Sequence, residues 1–184
     1  SSSMSFSSSD PFFLWYLSPL SGRDILAGSL LVVISSIFMI FDAIVIVVLW
    51  KSSKEIVGFR YLFSSQVANI LCMLQYGVIN GIAILSRSRL VTGEGREWLQ
   101  LHTDFVWFAF CFHLPIVAWS RLHAISSPHS FRKQSQFMSY AICGVCAWLL
   151  SLAICLATHW QSFYVLFYYE PAIYGIFAED SVKY

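Results

Sequence analysis

The sequence predicts an all-α fold, a polytopic membrane helix bundle with four spans. Three observations predict it. Four long apolar runs, near 25–50, 61–85, 98–119 and 137–158, are each long enough to cross a hydrocarbon core of about 30 Å. Short polar turns separate the runs. Only 11% of the 184 residues are charged and the mean hydropathy is +0.67, where a soluble domain carries about 25% charge. A net charge of +1 gives no electrostatic basis for a nucleic-acid partner. The expected surroundings are a lipid bilayer, crossed several times.

Residues 1–24 are Ser-rich, then aromatic, and are read as an outer N-terminal tail with an interfacial cluster at 12–16. The apolar stretch Pro11 to Leu17 is short and follows no basic segment. It does not resemble a cleavable signal, so the first span is expected to direct its own insertion. Residues 25–158 form the four-helix membrane region. The first span carries one charge, Asp42, and Lys51 to Arg60 is a polar turn. The second span contains Gln66, Asn69, Gln75 and Asn80, and a charged turn at 86–97 follows it. The third span reaches from Trp98 past Arg121 to 123, with Pro115 as an expected kink. Residues 159–184 hold an aromatic run broken by Glu170 and Pro171. They are expected to form a second outer loop or the approach to a fifth helix. With alternating spans, six Lys/Arg fall on one side and five on the other, which favours an outer N-terminus by a single charge.

Polar side chains inside the spans are the candidates for chemistry. Asp42 stands eight residues before Trp50, and Asn69 eight residues after Tyr61. Both therefore lie roughly 12 Å from the same end of antiparallel helices. A lone carboxylate in lipid is costly, so Asp42 needs a partner, a proton or both. The pair reads either as a structural tie or as an ion- or proton-sensitive switch. His102, Thr103, Asp104 and Trp107, near the outer start of the third helix, are the candidate ligand-binding residues. Asp104 reads either as a partner for a cationic ligand or as an interfacial carboxylate in water. His113 lies about half a turn out of phase with Asp104, so the two do not make a metal site on one helix face. It is expected to be an interior, hydrogen-bonded histidine. No metal or cofactor is expected.

Five cysteines, all inside spans, argue against a disulfide-stapled ectodomain. Cys143-Gly144-Val145-Cys146 matches a redox C-x-x-C. A thiol oxidoreductase of the four-helix type also needs shuttle cysteines in a loop, and the loops carry none. The pair then reads as two small side chains one turn apart, and the chain is not expected to be an enzyme.

The most specific stretch is Trp119-Ser120-Arg121-Leu122-His123-Ala124-Ile125-Ser126-Ser127-Pro128, followed by Phe131-Arg132-Lys133. An arginine ends an apolar run, a proline stands seven residues on, and a basic pair precedes the next span. This order resembles the inner end of the third helix and the second inner loop of rhodopsin-like seven-helix receptors. Asp42 falls where those receptors have the key asparagine of the first helix, and Asn69 where most have the aspartate of the second. Trp148 fits the signature tryptophan of the fourth, as a structural residue. Phe63-Ser64-Ser65-Gln66-Val67-Ala68-Asn69 and Phe167-Tyr168-Tyr169-Glu170-Pro171 are similar to the nematode serpentine chemoreceptors of the Srx class. The resemblance spans most of residues 25–184. Ser120 replaces the acid that usually precedes the arginine, and no cysteine is placed for the superfamily's outer-loop disulfide.

The resemblance implies the first half of a chemosensory G-protein-coupled receptor in a plasma or sensory membrane. Its partners would be a small-molecule or peptide ligand between the helices and a heterotrimeric G protein at the inner face. Arg121 and Pro128 would contact that transducer. Helix-face arithmetic puts Arg121 in line with Thr103, Trp107, Phe110, Leu114 and Val117, and so predicts that it points into the bundle. The alternative reading is a four-helix accessory, channel or transporter subunit.

Overall fold

The computed structural model describes residues 12–88, 90–91, 94–160 and 167–178. The outer tail at 1–11, Arg89, the start of the aromatic run at 163–166, and Glu179, Asp180 and Lys183 of the last segment lie outside the described residues.

The fold is an all-α helix bundle. A short helix α1, Phe13–Leu17, is followed by α2, Gly22–Ser52, and by α3, Val57–Ser86. Next come α4, Glu94–Ser126, a five-residue helix α5, Pro128–Arg132, and α6, Gln136–His159. The hairpin β1, Phe167–Glu170, and β2, Gly175–Ala178, closes the described chain. Helices α2, α3, α4 and α6 are each long and apolar enough to cross a membrane. No residue in the most apolar window of α2 is buried, and Ile34, Phe38, Phe41 and Val45 are exposed along it. In water such a face would be unstable, whereas lipid solvates it. The chain is a multi-pass membrane protein.

Each long helix outruns the apolar run that predicts it, and several of the added ends are capped. Ser21 accepts from the Asp24 amide at 3.2 Å and Asp24 accepts from the Ser21 amide at 3.0 Å, a reciprocal cap that starts α2 ahead of Ile25. Ser135 accepts from the Met138 amide at 3.1 Å and starts α6 in the same way. Arg87, in the left-handed region at φ 46°, ends α3. Helix α4 continues through Pro115 for 33 residues. Two helices contain a wider π turn, at Met73–Ile79 in α3 and Gly144–Leu149 in α6.

Helix α3 is the centre of the bundle. It packs on α2 along its length, on α4, and on the first part of α6, while α4 packs on the rest of α6. The α2–α3 seam is closed by glycines. A Cβ on Gly81 would stand 2.9 Å from the Gly28 carbonyl oxygen, and one on Gly28 3.0 Å from that of Gly81. This is the close backbone approach that small residues permit between membrane helices. Gly77 meets Ser35 one turn further on. The spacing Gly77-x-x-x-Gly81 carries this seam in the sequence, a signal the sequence reading passed over.

The main apolar cluster lies towards one end of the bundle. Val57, Tyr61, Ile116, Phe131, Cys143 and Ala147 form it, and α5 contributes through Phe131. At the other end the hairpin packs against the helix termini. The described part of 159–184 is therefore a loop, built as an antiparallel pair with Tyr168 opposite Phe177. No approach to a fifth helix is present among the described residues. Aromatic residues dominate β1, and Pro171 opens the turn that joins it to β2.

Candidate functional site

At the end that gathers the α2–α3 and α4–α6 loops, Arg60 is the organising side chain. It opens α3 and is 5% exposed. Its Nε donates to the Ser53 carbonyl at 2.8 Å and its Nη1 to the Gln134 carbonyl at 2.9 Å. Longer bonds of 3.5 Å reach the Lys54 carbonyl and Ser139 Oγ. This buried guanidinium thus holds carbonyls and a hydroxyl from both loops and the start of α6. Gln134 adds a second tie, donating from Nε2 to the Tyr61 hydroxyl at 2.6 Å. Around this clamp, Lys51, Lys54, Arg121, Arg132 and Lys133 are all exposed.

Arg121 does not point into the bundle. It is exposed, and so are Leu114 and Trp107 on its helix face. The buried stripe of α4 is Val106, Ala109, His113, Ile116 and Ser120, one residue out of step with the expected face. Ser120 turns inward instead and donates to the Val117 carbonyl at 2.8 Å. Pro128 is exposed at the first position of α5. That helix turns Phe131 back against Tyr61 and His123.

Deeper in the bundle, Asn69 Nδ2 donates to Asp42 Oδ2 at 2.6 Å. Gln66, one turn earlier on α3, donates to the other carboxylate oxygen. The Asp42 carboxylate thus meets two amide donors, one more than the sequence reading assigned to it. A second join links three helices. Trp148 Nε1 donates to Ser64 Oγ at 3.0 Å, and Ser64 Oγ lies 2.8 Å from His113 Nε2. His113 Nδ1 lies 2.6 Å from the Ala109 carbonyl, which can only accept. A ring with its proton on Nδ1 therefore satisfies both contacts, with Ser64 donating to Nε2. Ser64 was legible in the quoted motif, but its partners were not.

At the hairpin end, a polar cavity of about 40 Å³ lies between α3, α4 and β1. Gln75, Asn80, Gln100 and Thr103 line it, with Arg96, Tyr168 and Tyr169 at the hairpin side. Gln75, Asn80 and Gln100 are 2%, 6% and 8% exposed, so three carboxamides from two helices surround one space. Burial pushes the Tyr169 phenol up to about 12 and keeps it a neutral hydrogen-bonding group. The four expected ligand residues divide here. Thr103 lines the cavity, donating to the Leu99 carbonyl at 2.8 Å. Exposed His102 reaches Gln75 Oε1 at 3.1 Å. Trp107 is half exposed and meets the Tyr76 ring edge-on at 5.9 Å. Asp104 is not in the cavity lining. It accepts from Gln100 Nε2 at 2.8 Å and faces His159 Nε2 at 4.0 Å, towards α6. Among the described residues, no carboxylate lines the cavity.

The hairpin is fastened over this end by charged and phenolic groups. Asp24 and Arg87 form an ion pair at 2.6 Å, and the Tyr174 hydroxyl donates to the same carboxylate. Glu170, fully buried, accepts from the Tyr16 hydroxyl of α1. The Arg87 guanidinium also stands 4.5 Å over the Trp15 ring.

All five cysteines are free thiols. Cys143 is buried beside Tyr61, and Cys146 is exposed. Among the described residues, no group of three or more His, Cys, Asp or Glu is placed to hold a metal ion. No family model and no curated protein matches the chain.

Proposed function

We propose that the chain is the first part of a chemosensory G-protein-coupled receptor of the serpentine kind, working in a plasma or sensory membrane. A small-molecule or peptide ligand binds between the helices at the hairpin end. A heterotrimeric G protein docks at the Arg60 end, where Arg121 and Pro128 are exposed. The observation that carries the reading is the join from Trp148 to Ser64 and His113. Two of these three residues belong to the stretches that resemble the receptors, and all three come together across α3, α4 and α6. The Asp42–Asn69 bond supports it in the same way, between α2 and α3. Side-chain hydrogen bonds between membrane helices fix depth and register. A displacement at the polar cavity then passes along α3 and α4 to the loops that Arg60 ties together.

The test is co-isolation. The full reading frame containing this sequence is expressed in cells, and membranes are solubilised after guanine nucleotide is removed. The G protein should co-isolate and be released by a non-hydrolysable GTP analogue. Its absence under both conditions would contradict the reading and leave the accessory, channel or transporter subunit.

A further inference from the structure

A second cleft lies at the hairpin end, on the outside of the bundle between α4 and α6. It measures about 260 Å³ and is lined by Glu97, Trp98, Leu101, Leu156, His159 and Trp160. Helices α4 and α6 are antiparallel neighbours, so Trp98 near the start of one and Trp160 at the end of the other stand at the same level. Both rings are largely free, with Trp98 71% and Trp160 82% exposed. Leu101 and Leu156 lie one turn deeper on their respective helices. The cleft thus has an aromatic rim at the membrane interface and an aliphatic floor towards the membrane interior.

Its electrostatics point to a cation. Glu97, a carboxylate of the lining, is exposed at the rim, and Asp104 lies outside the lining, 4.0 Å from His159 Nε2. Indole faces attract cations through their quadrupole, most strongly when water is partly excluded. Two tryptophans beside a carboxylate recognise a quaternary ammonium in particular, because its bulk fills an aromatic cleft and it needs no hydrogen-bond acceptor. The vertical order of the lining matches a phospholipid, with its headgroup at the rim and its acyl chain over the leucines.

We propose that this cleft is a binding site for a choline phospholipid, with the trimethylammonium group held by Trp98, Trp160 and Glu97. The site is separate from the polar cavity and independent of the receptor reading. The bound lipid bridges α4 and α6 where the hairpin begins.

The probes are three lipids with identical palmitoyl and oleoyl chains and choline, ethanolamine or glycerol headgroups. The purified chain is equilibrated with an equimolar mixture in micelles, and retained lipid is counted by native mass spectrometry. The choline lipid should be enriched over the other two. Trp98→Leu and Trp160→Leu should each reduce that enrichment by on the order of threefold. Glu97→Gln should reduce it as well. All three side chains are exposed, so the variants should keep the parent helicity and melting temperature, which circular dichroism checks. Equal retention of the three lipids would overturn the proposal, as would enrichment that survives both tryptophan changes. Displacement of the lipid by choline chloride, with none by its uncharged isostere 3,3-dimethylbutanol, would support recognition of the cation. Binding of free choline with no retained lipid would contradict the lipid as occupant.

Discussion

Arg60 Nη1 donates to the Gln134 carbonyl at 2.9 Å, so a side chain at the start of α3 holds the loop that leads into α6. The same guanidinium holds the Ser53 carbonyl through Nε. Both loops at this end are therefore fixed through one buried cation. Removing it leaves carbonyl oxygens without donors in a place that water reaches poorly. Arg60→Leu should destabilise the solubilised protein by about 2–3 kcal/mol. Arg60→Lys should recover only part, because an ammonium lacks the planar fork that reaches both carbonyls. Thermal unfolding followed by tryptophan fluorescence checks this. A melting temperature of Arg60→Leu equal to that of the parent would dismiss the clamp.

Asp42 draws Asn69 and Gln66 onto one carboxylate. Asp42→Asn and Asn69→Asp should each destabilise the α2–α3 pair. The exchanged double variant should regain part of the loss, with a coupling on the order of 0.5–2 kcal/mol. Strict additivity of the two changes would sink the pairing.

The α2–α3 seam offers a contrast between two glycines. A Cβ on Gly81 meets Val32 Cγ2 at 2.7 Å and the Gly28 carbonyl at 2.9 Å, whereas one on Gly144 meets nothing within 4 Å. Gly81→Ala should therefore cost roughly 1–3 kcal/mol through forced separation of the helices. Gly144→Ala should be neutral or stabilising by up to about 1 kcal/mol through its helix propensity. Equal melting temperatures for the two variants would show that the seam is looser than described.

At the Arg60 end, Lys51, Lys54, Arg121, Arg132 and Lys133 are exposed. At the hairpin end, among the described residues, Arg23 is exposed, Arg87 pairs with Asp24 and Arg96 lies 4.0 Å over the Tyr168 ring. With five exposed Lys/Arg at the Arg60 end, the positive-inside rule gives the expectation that this end faces the cytosol. Cysteines at positions 54 and 130, both exposed, should react with an impermeant maleimide only after cells are permeabilised. Position 53 is unsuitable because Ser53 is 3% exposed and its carbonyl serves Arg60. Labelling of either engineered cysteine in intact cells would reverse the topology.

The four spans were legible in the sequence because hydropathy over twenty residues measures the same thing that lipid does. The Asp42–Asn69 contact was legible because antiparallel helices turn equal sequence offsets into equal depth. Arg60 was not, because a basic residue in a short loop looks the same whether it meets water or a neighbouring carbonyl. The direction of Arg121 was misread because adjacent residues on a helix differ by about 100°, and an apolar pattern on a lipid-facing helix does not say which side meets protein. Asp104 was read only in part. Its depth was readable, but its turn towards α6 depends on Gln100 and His159. The hairpin escaped because four-residue strands carry too little periodicity to stand out from an aromatic loop.

The receptor reading is tested most directly at Arg121. It is exposed beside the Arg60 clamp and absent from the buried stripe of α4, so its replacement should leave the bundle intact. In the full reading frame, guanine-nucleotide exchange on the heterotrimer should be measured per molecule at the cell surface, for the parent and for Arg121→Ala. The account predicts normal surface abundance for Arg121→Ala and exchange reduced by at least about tenfold, equivalent to roughly 1.4 kcal/mol. Exchange per surface molecule equal to the parent's would contradict it and leave Arg121 as an interfacial anchor.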